Sequence, residues 1–164
     1  MAAVTVLQHH TSEADASPTI YRYVESGLEN VWLVGGVSFD EDDGETCLFV
    51  EDREDLHKLI SLSIIHRGDR ISGRELRFLR HELELTQDHL ARLLETDVQS
   101  VARWEKGKSR PPGPADRLIR SLYLLRYERN PNVMAFLEEL TQLDRLTAGK
   151  QVFERRAREW RAAA

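Results

Sequence analysis

The chain has 164 residues, 41% of them hydrophobic and 31% charged, with a net charge of −5. That length holds one domain or two small ones, the apolar share suits a folded chain, and no apolar run approaches the roughly 20 residues that span a bilayer. Cys47 is the only cysteine, which excludes an intramolecular disulfide and a cysteine-cluster zinc site. The N-terminus has neither a basic region nor a long apolar stretch, so no secretory signal is expected and the protein reads as cytoplasmic.

The charge is unevenly placed. Residues 1–68 carry 4 basic and 13 acidic side chains, a net of −9; residues 69–130 carry 13 and 10, a net of +3; residues 131–164 carry 6 and 5, a net of +1. An acidic front and a basic middle suggest two modules with different partners, of which only the basic one need meet phosphates.

Residues 1–18 read as a disordered tail ending in Ala16-Ser17-Pro18. Strand formers follow: Tyr21, Tyr23 and Val31-Trp32-Leu33-Val34, interrupted by Ser26-Gly27 and Gly35-Gly36. Val37-Ser38-Phe39 and Thr46-Cys47-Leu48-Phe49-Val50 flank an acidic Asp-Gly turn, a hairpin signal because Gly44 takes positive φ easily. A small meander of three or four strands is expected. Leu56, Leu59, Ile60 and Ile64 then recur at helical spacing over residues 54–66, completing an acidic α+β domain over residues 19–67. Arg67-Gly68-Asp69 breaks the pattern and reads as a linker rather than an integrin-type motif.

The next module, residues 70–130, reads as all helix. Ser72-Gly73-Arg74-Glu75 is a capping box opening a helix with Leu76, Leu79 and Leu83 on one face. Thr86 caps a second helix with Leu90, Ala91 and Leu94, and Asp97 caps a third with Val101 and Trp104. Pro114 suits the first turn of a fourth, striped by Leu118, Ile119, Leu122 and Leu125. Residues 133–143 suggest a fifth. Residues 131–164 together read as a helical extension or dimer arm: Gln151-Val152-Phe153-Glu154 could start a strand, whereas residues 155–164 have helix-forming composition. Arg155, Arg156, Arg158 and Arg161 would then be a helical surface, a DNA-backbone clamp or part of that arm.

The functional signal lies in residues 87–106. Two short helices meeting at a steep angle need a small residue at their closest approach, and Ala91 fits. Leu90 and Leu94 would meet Val101 and Trp104, leaving Val98, Gln99, Ala102 and Arg103 to enter a groove about 12 Å wide. This stretch resembles the Cro/phage-repressor (XRE-type) helix-turn-helix family. The match runs through Thr86-Gln87, Leu90-Ala91, Ser100-Val101, Arg103-Trp104-Glu105 and Gly107-Lys108 to the proline after Arg110. One position departs: Glu95 stands where the family's turn usually has glycine.

The resemblance implies DNA-binding roles for Gln87, Val98, Gln99, Ser100, Arg103, Lys106, Lys108 and Arg110. Gln87 would donate to a phosphate; Val98, Gln99 and Arg103 would face base edges; the cations after the recognition helix would hold the backbone. Alternatives for Arg103 are ion pairs with Glu105 or Asp97, for Val98 plain packing, and for Trp104 a core position. A wider similarity over residues 20–128 is to MqsA-like antitoxin regulators, which pair a small N-terminal domain with such a motif. Those relatives often carry zinc on paired cysteines in the first domain, which Cys47 alone cannot supply.

The implied function is a homodimeric autorepressor reading a palindromic operator in double-stranded DNA, with residues 20–66 free to bind a basic toxin encoded beside it. A stand-alone repressor sensing a small ligand is the other reading. No cofactor, no metal and no membrane partner are expected, nor an enzyme: the acidic hairpin is off register for a calcium loop, and His57 and His66 lack ligand partners at helical spacing.

Overall fold

The computed structural model describes residues 20–42, 45–127, 150–156 and 159–163. The tail over 1–18, the Asp43-Gly44 turn and the helix expected over 133–143 lie outside the described residues. The architecture is α+β, as expected, with strands β1 (Ile20–Arg22), β2 (Val31–Val34), β3 (Val37–Asp42) and β4 (Glu45–Val50). Helices α1 (Arg53–His66), α2 (Gly73–Glu82), α3 (Gln87–Leu93), α4 (Val98–Glu105) and α5 (Gly113–Tyr127) follow, then β5 (Gln151–Arg156) and β6 (Glu159–Ala162).

The strands do not form one meander. β3 and β4 make a separate hairpin, Val37 opposite Val50 and Asp42 opposite Glu45, while β1 and β2 belong to a four-stranded sheet ordered β1-β2-β5-β6. The chain leaves that sheet at Gly35 and Gly36, with φ of 72° and 69°. At Gly36 a Cβ would lie 2.7 Å from Arg155 Cδ and 2.9 Å from a Trp160 ring carbon, so the corner admits glycine on two counts.

The largest correction concerns the C-terminus. Its described residues are strands: Gln151-Val152-Phe153-Glu154 does start one, as its composition allowed, but residues 155, 156 and 159–162 continue as strand where a helical extension or arm was expected. β5 runs parallel to β2, with Leu33 opposite Phe153, and β6 returns antiparallel to β5. Helix-forming composition loses here to tertiary demand. The free edge of β2 needs hydrogen-bond partners, and alternation sends Phe153 and Trp160 into the core, both buried. Trp160 Nε1 donates to the Glu51 carbonyl at 2.9 Å, and Arg155 pairs with Glu51 at 2.9 Å and Asp52 at 2.5 Å. The Arg155 expected on a helical surface or clamp is instead a pin between sheet and α1.

One apolar core runs through both halves: Val31, Leu33 and Phe153 from the sheet, Leu56, Ile60 and Ile64 from α1, Leu76 and Leu79 from α2, Leu90, Val101, Ile119 and Tyr123 beyond. The expected linker at residues 67–69 is correspondingly a joint rather than a tether. Arg120 of α5, 1% exposed, donates to the carbonyls of Ile64, Ile65, Arg67 and Asp69 at 2.6–3.1 Å and to Asp116 at 2.6 Å. It thereby meets acceptors that the end of α1 leaves open. Asp69 is itself buried against Arg67, so Arg-Gly-Asp is no surface motif.

Candidate nucleic-acid interface

Three short helices, α2 to α4, build the site, and their ends are set by neighbouring residues. Ser72 Oγ accepts from the Glu75 N–H at 3.3 Å while Glu75 accepts from the Ser72 N–H at 2.7 Å, completing the capping box. Thr86 Oγ1 accepts from the His89 N–H at 3.0 Å, and Asp97 Oδ1 from the Ser100 N–H at 2.8 Å. The Asp97 carboxylate also accepts from Ser100 Oγ at 2.7 Å; that bond, then the backbone one, holds its pKa below the ordinary value.

Each helix also stops in the same way. In α3 the Glu95 N–H donates to the Arg92 carbonyl at 3.2 Å and the Thr96 N–H to the Ala91 carbonyl at 3.0 Å, the bond pair of a Schellman motif. Glu84 and Leu85 repeat it after α2, with donations to His81 at 2.8 Å and Arg80 at 3.0 Å; Gly107 and Lys108 repeat it after α4. The motif needs a left-handed residue, and Glu95 supplies it at φ 49°, Glu84 at 55° and Gly107 at 69°. The departure from glycine at position 95 therefore leaves the turn geometry intact, at a steric penalty of about 1–2 kcal/mol for a residue with a Cβ.

Within the pair, Leu90, Ala91 and Val101 are buried, with Leu94 and Trp104 packed partly buried against them. Trp104 is thus a core residue. The outer face of α4 presents Val98, 39% exposed, with Gln99 and Arg103 exposed and Ala102 half-buried beside them. Arg103 donates to Ser100 Oγ at 3.1 Å and makes no ion pair with Glu105 or Asp97, the alternative reading of it, although its charge helps lower the Asp97 pKa. Lys106, Lys108 and Arg110 all stand exposed in the segment after α4.

Gln87 is placed differently. Its amide turns inward and donates to Glu105 Oε2 at 2.7 Å. Glu105 in turn takes two bonds from Arg80, at 2.6 and 3.1 Å, so a buried ion pair fastens α2 to the end of α4. Burial alone would raise the Glu105 pKa; the bonds from Arg80 and then Gln87 outweigh it and hold it low. Arg80 also donates to the Leu85 carbonyl at 2.7 Å, fixing the approach to α3.

Sequence reasoning missed this pair, although a signal existed: Arg80 falls on the Leu76, Leu79 and Leu83 face of α2, where a charge needs a partner. It also missed Gly73. A Cβ there would lie 1.8 Å from the Trp104 carbonyl oxygen, so α2 and α4 touch backbone to backbone at that glycine. Among the described residues no group of three His, Cys, Asp or Glu could hold a metal, and no helix is long and apolar enough to cross a membrane. No protein-family model, curated protein or solved structure matches the chain.

Proposed function

We propose that this protein is a sequence-specific DNA-binding transcriptional regulator that lays α4 in the major groove. One observation carries the reading. α3 and α4 are locked by a buried apolar wedge and the Arg80–Glu105 pair ties α4 to α2, while Val98, Gln99 and Arg103 are left outward, with three exposed cations just beyond. Arg suits guanine O6 and N7, Gln suits adenine, and Val suits a thymine methyl. Lys106, Lys108 and Arg110 supply backbone contacts that fix register without reading sequence. Gln87 acts mainly through Glu105, steadying the helix that reads.

One such unit buries a modest interface, so the regulator works as a homodimer on a palindrome with half-sites about 34 Å apart. The class that fits is an autorepressing antitoxin of the Cro/phage-repressor type. Its acidic 20–66 region would steer a basic toxin, since opposite net charge speeds encounter.

The test is a gel shift on the DNA upstream of its gene. Arg103→Ala should weaken binding by about 1–3 kcal/mol and relax preference at one base position. Lys108→Ala should weaken all sequences alike and reduce the salt slope by about 1. Unchanged affinity in Arg103→Ala at fixed salt removes it as a base reader, and no retarded band with any upstream fragment removes the DNA reading itself.

A further inference from the structure

Two arginines meet at the start of α5 with no acid between them. Arg70 stands exposed just ahead of α2, and Arg117 stands exposed in the second turn of α5. A Cβ on Gly113 would lie 2.9 Å from Arg70 Nη2 and 3.4 Å from Arg117 Nη2, so both guanidinium ends converge on one spot beside the first residue of that helix. Neither guanidinium makes a hydrogen bond, an ion pair or a ring contact with any described residue. The carboxylates next to them in the chain are committed elsewhere. Asp69 is buried against Arg67, and Asp116 is buried and accepts from Arg120 at 2.6 Å. Like charges brought this close repel, and no described side chain offsets them.

The backbone at the same spot adds to the pull on negative charge. α5 runs 15 residues from Gly113, and the N–H groups of a first turn have no partner within their own helix. The Asp116 N–H is met by the Pro112 carbonyl at 3.1 Å, whereas those of Gly113 and Ala115 make no hydrogen bond with a described residue. The partial positive charge of the helix start points the same way as the two arginines. Glycine at 113 keeps the space between the guanidiniums clear of any side chain.

We propose that Arg70 and Arg117 hold a phosphate oxyanion at Gly113. Each guanidinium offers a planar fork of donors that matches two phosphate oxygens, and a pair of forks suits a tetrahedral, multiply charged group better than a halide. That group has two sources, a free phosphate or a phosphate of the DNA backbone. Binding of free phosphate stands without the DNA reading; the backbone source rests on it. In that case the clamp adds two cations to the exposed Lys106, Lys108 and Arg110, which lie on the segment leading from α4 to Gly113.

The experiment has two arms, both on the full chain. In the first, the Gly113 and Ala115 amide signals are followed by NMR as sodium phosphate is added, against sodium chloride at matched ionic strength. A free-phosphate site shifts them saturably, and Arg70→Gln and Arg117→Gln each weaken that binding by about tenfold. Gly113→Asp, which supplies a carboxylate at the same point, abolishes it. In the second arm, gel shifts are repeated over a salt series. A backbone-phosphate site makes each Arg→Gln variant weaker on every fragment alike and lowers the salt slope by about 1. Either signature supports the clamp and names its source. Phosphate shifts no different from chloride, or undiminished in both variants, together with an unchanged salt slope overturn it and leave the DNA reading standing. Where the wild type retards no fragment, the DNA reading falls and the amide titration alone decides the clamp.

Discussion

The helices over residues 72–108 and the four-stranded sheet are held together in different ways. In the helical region every element is opened by a side chain within three residues, Ser72, Thr86 or Asp97, and closed by bonds spanning five. In the sheet, β2 finds its central partner some 120 residues along the chain, where Leu33 faces Phe153. The first kind of order depends on short-range rules that each contribute a little; the second depends on a few large contacts that must all be present. Substitutions in the sheet should therefore have large effects and few remedies, and substitutions at helix ends small ones that can run in either direction.

The sharpest test removes the hub of the distant strand. Phe153→Ala should destabilise the fold by about 3–5 kcal/mol in urea denaturation, against about 1 kcal/mol for Thr86→Ala at a helix start. Because the core is continuous, the loss should appear in one transition seen equally by sheet and helix signals. A Phe153→Ala effect no larger than that of Thr86→Ala would break the comparison.

Arg120→Leu tests the joint between the two regions. It leaves the carbonyls of Ile64, Ile65, Arg67 and Asp69 without their shared buried donor, a loss of about 3 kcal/mol on the same measurement. A near-neutral result would return residues 67–69 to the status of a linker.

These contacts divide what the sequence allows one to foresee. The capping box, the caps at Thr86 and Asp97, the small Ala91 and the outward Val98, Gln99 and Arg103 were legible, because each depends on residue type at short spacing. The start of β5 was half legible in Gln151-Val152-Phe153-Glu154, but its continuation into β6 was not: Arg155 to Ala162 suits a helix locally, and only the open edge of β2 and an unfilled core demand a strand. Arg120 and Gly73 were illegible for the same reason, since one is explained by carbonyls more than 50 residues away and the other by the Trp104 carbonyl. Gln87 was half legible; its position was foreseen, but its attachment to Glu105 emerges only from three helices packed together.

The Arg80–Glu105 pair gives a pH test of intermediate size. Glu105 has a folded pKa below its ordinary value of 4.5, so its contribution is fully present above that value and fades as pH falls through the folded one. Glu105→Gln keeps the shape and loses the charge. It should be less stable than wild type by about 1 kcal/mol near neutrality, with the gap narrowing below pH 4.5. A gap that stays constant down the acid limb would mean that the carboxylate's charge is not what fastens α2 to α4.

The smallest effect concerns Glu95, and its sign matters more than its size. Glycine has no Cβ to clash at φ 49°, but it also has more freedom to lose on folding, which offsets part of the gain. Glu95→Gly should therefore stabilise the fold by about 0.5–1 kcal/mol, and Glu95→Asn by less, since asparagine tolerates the left-handed region better than glutamate. Glu84→Gly meets the same backbone condition at φ 55° but gives up a 2.9 Å ion pair with Arg126. Being exposed, that pair is worth about 0–1 kcal/mol, so the gain there should be smaller. A larger gain at Glu84 than at Glu95 would show that something other than backbone strain dominates at the turn. On the proposed DNA reading, gel-shift affinity in Glu95→Gly should match wild type, because the turn geometry is already formed with glutamate in place.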